Sequence, residues 1–180
     1  MKPIPNPVPL DERVVIWPLV PGRMLELGNK KNPNGVYKDY FQSIGIDHTS
    51  IDWNGEDGAL NLDLRQPIDL PPFDMVTNIG TTEHVSDQRA VWRNIHNLLK
   101  VGGVLASVTP MYGDWWWHGE YYPTPAFFEQ FANNGYRIDY LDIGRKHPNR
   151  NICARLTKVS DNAFVMPDEN TIMVNQMRPR

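Results

Sequence analysis

Cysteine is almost missing from this 180-residue chain, where Cys153 stands alone. That excludes an internal disulfide framework and a Cys-rich zinc site, and it suits a reducing compartment. Long apolar runs are missing as well. No stretch approaches the roughly 18 consecutive apolar residues that mark a membrane helix. The opening Met-Lys-Pro-Ile-Pro-Asn-Pro-Val-Pro has no apolar core of a signal peptide, so a cytoplasmic protein is expected. Positive charge is not in excess: 18 Lys and Arg against 21 Asp and Glu leave a net charge of -3. A broad basic face for nucleic acid is therefore not expected. Internal repeats are absent. So is the Gly-x-Gly-x-x-Gly fingerprint, which disfavours a nicotinamide-dependent oxidoreductase.

What is there is ordinary for one globular domain, with 41% hydrophobic and 22% charged residues. Prolines at 3, 5, 7 and 9 favour an extended, polyproline-like arm, and Pro18 and Pro21 end any short helix over 11–16. Residues 1–22 are thus expected to be an N-terminal arm, 23–159 the domain, and 160–180 a polar, Met-containing tail. Arm and tail are candidate contacts for a second copy or a partner protein.

The domain is organised around Arg23-Met-Leu-Glu-Leu-Gly28 and the polar residues after it. These read as a strand, a tight turn at Gly28, and a helix opened by Asn32-Pro33. Val36, Tyr37, Tyr40, Phe41 and Ile44 form one apolar helical stripe that Gly45 closes. A second strand, 48–52, ends in Asp52, which lies 24 residues after Gly28. An acidic residue at about that distance holds ribose hydroxyls in nucleotide-binding α/β folds. Asp52 also suits a turn with Asn54-Gly55, and the residues alone leave both readings open.

Only ten residues separate Asp52 from Asp63, so the helix that normally joins successive parallel strands is expected to be absent or a single turn. Residues 73–78 read as a buried strand, with the polar cluster Gly80-Thr-Thr-Glu-His84 at its carboxyl end. Ser86 is expected to cap a helix with Val91, Trp92, Ile95, Leu98 and Leu99 inward, ended by Gly102-Gly103. A strand over 104–109, an aromatic loop over 110–124, and a helix from Thr124-Pro125 to Gly135 follow. Two strands, 136–143 and 152–159, are joined by a basic hairpin loop containing Arg145, Lys146, His147 and Arg150.

In this order and spacing, Glu26-x-Gly28, Asp52, Asp63, Phe73-Asp-Met-Val, Glu83-His84-Val and Leu99-Lys-Val-Gly-Gly103 resemble the class I S-adenosylmethionine-dependent methyltransferases. The resemblance is to the small single-domain, type 11-like members, and it spans 23–159. It implies a Rossmann-like, doubly wound, mostly parallel sheet with a C-terminal antiparallel hairpin strand, in a three-layer sandwich. It also implies S-adenosylmethionine as cofactor. Glu26 and Gly28 would face the methionine part. Asp52 would hold the ribose, with Trp53 beside the adenine and Asp63 and Leu64 at its edge. Asn78, Ile79 and Gly80 would floor the sulfonium. The chain departs from the family in two places: the glycine-rich loop keeps only Gly28, with Lys30 and Lys31 in it, and the helix between strands two and three is reduced.

Methyl transfer needs in-line approach to the sulfonium, and a base helps when the acceptor is a hydroxyl or a protonated amine. His84, oriented by Glu83, is the candidate base. Tyr112, Trp116 and His118 of the aromatic loop are candidate contacts for a small acceptor, such as a sugar or nucleotide. The opposing reading of Glu83-His84 is helix capping, and of the Trp run, core packing or an interface. His84, His118, Glu83 and Asp114 are metal-ligating types, but no compact ligand spacing joins them and no metal is expected. The lost glycines also fit a non-catalytic module that binds the cofactor, its demethylated product or a partner protein.

Overall fold

The computed structural model describes residues 8–32, 35–144 and 149–175. Strands β1 (Arg23–Leu27), β2 (Asp47–Asp52), β3 (Leu60–Asn61), β4 (Phe73–Ile79), β5 (Leu99–Pro110), β6 (Tyr121–Pro123), β7 (Tyr136–Ile143), β8 (Asn151–Lys158) and β9 (Ile172–Val174) carry the fold. Seven of them form one sheet in the order β3-β2-β1-β4-β5-β8-β7. The pairs among the first five are parallel, and β8 runs antiparallel to both β5 and β7. This is the mostly parallel, doubly wound architecture with a terminal antiparallel hairpin that the sequence implies.

Strand side chains alternate between two buried faces. Leu25, Leu27, Val76, Leu105 and Leu156 point to one core, Met24, Met75, Ala106, Val108 and Cys153 to the other. The first face is covered by α3 (Gln88–Leu98) and α4 (Pro125–Glu129), the latter running on as a 3-10 turn over Gln130–Asn134. Trp92 is its hub, with ring centroids 5.0 Å from Phe127 and 5.8 Å from Phe128 and Phe131. The expected stripe is buried throughout, but the helix ends at Leu98: Leu99 and Gly102-Gly103 belong to β5, which begins earlier than expected. Its cap is Asp87 rather than Ser86: Asp87 Oδ1 accepts the Ala90 amide at 2.8 Å, satisfying a first-turn donor. At the other end, buried Lys158 donates to the carbonyls of His96 (2.9 Å) and Leu99 (3.0 Å).

The second face is covered by α1 (Leu10–Ile16) and α2 (Tyr37–Ser43). Tyr37 and Phe41 are buried, whereas Ile44 falls beyond the helix and is exposed. The expected helix start at Asn32-Pro33 is displaced. Lys31–Asn32 pairs with Gly35–Val36 as a short ladder, and the helix begins at Tyr37; Pro33 lies outside the described residues.

Two segments expected at the periphery enter the body of the fold. Val8, Val15 and Ile16 are buried, and the Arg155 guanidinium donates to the carbonyls of Val15, Ile16 and Pro18. In the C-terminal segment, Phe164 and Met166 pack on the first core, and β9 pairs antiparallel with β6. The β2–β3 crossover holds a 3-10 turn, Glu56–Gly58, in place of a helix, as its length requires. Among the described residues, no helix is long and apolar enough to cross a membrane.

Candidate functional site

In open α/β sheets, ligands bind outside the carboxyl ends of the strands, where the strand order reverses. Here that place lies between β1 and β4. A cavity of about 490 Å³ opens there, within the usual range of ligand sites. It is lined by Gly28, Asn29 and Lys30 after β1, by Ile51 to Trp53 at the end of β2, and by Leu62 to Arg65 after β3. Ile79 to Thr81 and His84 to Ser86, after β4, complete it.

Gly28 makes the floor possible. Its φ is +69°, and a Cβ there would lie 2.5 Å from Thr81 Oγ1. That hydroxyl donates to the Leu27 carbonyl at 2.7 Å, so the β1 and β4 loops are locked in close approach. Asp52 serves both of its sequence readings. Oδ1 accepts the Asn54 amide (3.2 Å), closing the turn, and Oδ2 accepts the Asn29 amide (3.2 Å) from the neighbouring loop. A carboxylate has about four lone-pair positions, so acceptor capacity remains toward the cavity. Trp53 is 80% exposed at the rim. Asp63 is gripped by Arg65, whose Nε and Nη2 lie 2.8–3.0 Å from its oxygens. That pairing, chiefly the side-chain hydrogen bond, holds the Asp63 carboxyl below its ordinary range. Leu64 is buried against the core.

Seven of the nine expected cofactor residues thus line the cavity: Gly28, Asp52, Trp53, Asp63, Leu64, Ile79 and Gly80. Glu26 and Asn78 do not, and both work beneath it. Glu26 is fully buried, with Oε2 3.2 Å from His48 Nε2 and Oε1 accepting the Lys30 amide at 3.1 Å. Burial pushes its carboxyl above the ordinary value, against the opposing pull of His48 and Lys30. Lys30 itself is balanced by Glu12, 3.6 Å away, which also accepts the Tyr37 hydroxyl. Glu26 therefore ties down the loop where further glycines would otherwise stand. Asn78 donates to Ser107 Oγ (2.9 Å) and Thr82 Oγ1 (3.0 Å) and accepts the Thr82 amide (3.1 Å), fixing the turn that carries Glu83 and His84.

Thr82–His84 form that single 3-10 turn. Glu83 is fully buried, and neither of its carboxylate oxygens has a hydrogen-bond partner. His84 Nε2 lies 3.8 Å and His118 Nε2 3.4 Å from Glu83 Oε1, with the two imidazole rings 5.0 Å apart. His118 arrives from the aromatic loop, 35 residues further along. Tyr112 and Trp116 pair on the outside of that loop, centroids 6.2 Å apart, and do not line the cavity. Asp114 is taken up by Arg150, whose amide, Nε and Nη2 all reach it within 3.0 Å. Of the basic hairpin loop, Arg145, Lys146 and His147 lie outside the described residues.

Sequence reasoning missed eight lining residues: polar Asn29, Lys30, Arg65, Thr81 and Ser86, and apolar Ile51, Leu62 and Val85. The polar run after β4 signalled a site, but no local pattern says which of its members turns inward.

Residues 34–107 match the family described as Methyltransferase domain. The curated proteins give no significant match. Among solved structures, the chain is similar to the 1,6-didemethyltoxoflavin-N1-methyltransferase of Burkholderia thailandensis, crystallised with 1,6-didemethyltoxoflavin and S-adenosylhomocysteine. The TM-score is 0.61 and the identity 14%, over 83% of this chain and 77% of that one. The N-methyltransferase NodS of Bradyrhizobium japonicum, in complex with S-adenosylhomocysteine, gives 0.57 and 12%, over 83% and 84%. The geranyl diphosphate C-methyltransferase of Streptomyces coelicolor gives 0.61 and 11%, over 82% and 79%. With its strand order and these likenesses, the chain has the fold of the class I S-adenosylmethionine-dependent methyltransferases, and its residues 34–107 match the Methyltransferase domain family.

Proposed function

We propose that the protein binds S-adenosylmethionine in this cavity and transfers its methyl group to a hydroxyl or amine of a small acceptor. The observation that carries the reading is the convergence of Gly28, Asp52 and Gly80 on one 490 Å³ cavity at the carboxyl ends of β1, β2 and β4. Asp52 accepts the ribose hydroxyls. Trp53 supplies an aromatic face for the adenine, and Asp63 and Leu64 its edge. Gly28, Ile79 and Gly80 admit the methionine and sulfonium close to the backbone, while Glu26 and Asn78 hold the two loops from below. His84, backed by the buried Glu83, is placed to take the acceptor's proton as the new bond forms. Of the aromatic-loop candidates, His118 stands beside His84 on the acceptor side, while Tyr112 and Trp116, outside the cavity, are left to an acceptor that reaches beyond it; positioning supplies much of the rate.

The test is calorimetric titration of the purified protein with S-adenosylmethionine and S-adenosylhomocysteine, with NAD as control. Micromolar binding of either sulfur ligand, without NAD binding, is the expected result. No binding at millimolar ligand would overturn the reading and favour a module that recognises a partner protein instead.

A further inference from the structure

Folding gathers three metal-ligating side chains that the sequence keeps apart. We propose that Glu83, His84 and His118 bind a divalent first-row transition cation at the edge of the cavity.

The first argument is the carboxylate. Glu83 is fully buried with both oxygens lacking hydrogen-bond partners. A carboxylate withdrawn from water without donors is costly, and buried charges in proteins are paired or coordinate metals. The second argument is geometry. The candidate donor atoms, one from each residue, all lie within 4.8 Å of one another, and the closest carboxylate–imidazole separation is 3.4 Å. Ligands about 2.1 Å from a tetrahedral ion stand about 3.4 Å apart. The 3.8 Å separation of His84 from Glu83 needs only a small ring adjustment.

The third argument is that the loop bringing His118 is anchored at the site. Glu120 donates its amide to the Glu83 carbonyl at 2.9 Å. Tyr122 receives the Gly119 amide and donates to the Trp115 carbonyl, pinning both sides of His118. Gly119 has no room for a side chain, since a Cβ would meet Glu83 Cγ at 2.7 Å. The backbone is thus drawn against Glu83 at the place that presents His118 to it.

The donor set narrows the ion. Two imidazoles and one carboxylate suit Zn²⁺, Co²⁺ or Mn²⁺, whereas Mg²⁺ and Ca²⁺ prefer all-oxygen shells. Both imidazoles remain about two-fifths exposed, at 41% and 40%, so three protein ligands leave a position open, as in catalytic rather than structural sites. The ion's task rests on the methyl-transfer reading; its binding does not. In the loaded site the imidazoles are ligands, and the ion lowers the pKa of a bound acceptor hydroxyl in place of proton removal by His84. An acceptor hydroxyl bound there gives its proton to water and forms the O–CH₃ bond. The S–CH₃ bond breaks with its electron pair kept by sulfur.

The experiment is titration of chelator-stripped, tag-free protein with CoCl₂, followed by visible absorption. One equivalent should give a saturating d–d band that ZnCl₂ abolishes and MgCl₂ does not. His118→Ala, on a half-exposed loop, should weaken Co²⁺ binding by more than about tenfold. Absence of the band, or equal affinity in His118→Ala, overturns the site. S-adenosylhomocysteine affinity of the same preparation, measured separately, tells this failure from failure of the cofactor reading.

Discussion

The lock between the first and fourth strand loops can be tested by adding one methyl group and then making room for it. Gly28→Ala places a Cβ at φ +69°, where an L-residue costs about 1–2 kcal/mol. The same Cβ falls 2.5 Å from Thr81 Oγ1. The hydroxyl has to rotate away, and its bond to the Leu27 carbonyl, worth about 1 kcal/mol, is lost. The single change should therefore cost about 2–3 kcal/mol, or roughly 5–10 °C in Tm for a chain of this size. Thr81→Ala alone removes only the hydrogen bond and costs about 1 kcal/mol. In the double variant that bond is already gone and the Thr81 Cβ sits 3.5 Å from the new methyl, an ordinary contact. The double variant should then be no less stable than Gly28→Ala, a coupling of about 1 kcal/mol relative to additivity. Urea unfolding followed by circular dichroism measures all four corners of the cycle. Strict additivity would refute the close-approach argument, because Gly28 would then matter only for its φ.

Asp52→Asn keeps the size but removes the charge and leaves one acceptor oxygen where Asp52 offers one each to the Asn29 and Asn54 amides. S-adenosylmethionine affinity should fall about tenfold or more by calorimetry, and unchanged affinity would leave Asp52 only its turn. His84→Ala should cut turnover at saturating acceptor while S-adenosylhomocysteine affinity stays within about twofold; retained turnover would make His84 structural. Asp74 predicts a pH dependence. Partial burial raises its pKa, but the hydrogen bonds from Lys100 (2.7 Å) and the Arg23 amide (2.8 Å) prevail and hold it below the ordinary range. A lowered folded-state pKa means the unfolded chain binds the proton more readily. The stabilisation is therefore present above the unfolded carboxyl pKa and is lost as pH falls through the folded value. Asp74→Asn should cost about 1 kcal/mol at pH 7, discounted for the exposure of Lys100. The gap from the native protein should close in acid, and a gap independent of pH would show that the charge is irrelevant.

The sheet was legible because its strands are contiguous and its loops carry their own chemistry. Gly28, Asp52 and the polar run at 80–84 each sit at a strand end, so knowing the strands was nearly enough to know the cavity. Residues that act through distant partners were not legible. Glu26 looks like a ligand-facing carboxylate until His48, on the next strand, is seen 3.2 Å from it. Asp114 looks like a wall of the acceptor site until Arg150 closes on it. His118 stands 35 residues from Glu83, and distant contacts such as the Glu120 amide's bond to the Glu83 carbonyl bring it there. The misplaced helix start has a local cause: Lys31–Asn32 found a ladder partner in Gly35–Val36, and strand pairing overrode the capping pattern.

The chain's ends resemble appendages in sequence because proline, methionine and polar residues dominate them, yet the fold needs them. The crossovers on either side of β3 lack helices, and covering an apolar sheet face requires apolar side chains, not helices as such. The connector after β3 supplies Leu62, Ile68 and Leu70, and the C-terminal segment supplies Phe164, Met166 and Ile172. His96 bonds the Asn162 carbonyl at 2.9 Å from the same segment. Beyond it, β9 pairs with β6, directly after Gly119, and the Asn175 amide bonds the Glu120 carbonyl at 2.8 Å. Truncation after Ser160 should therefore act twice. Ile172, 93% buried, is alone worth about 1.5–3 kcal/mol, so Tm should fall by about 5 °C or more. The loop that presents His118 should also loosen, with new proteolytic cleavage between 111 and 121. An unchanged Tm and an intact loop would return the segment to the status of a tail and leave only the Glu120 amide and Tyr122 hydroxyl bonds to hold the loop of His118 at Glu83.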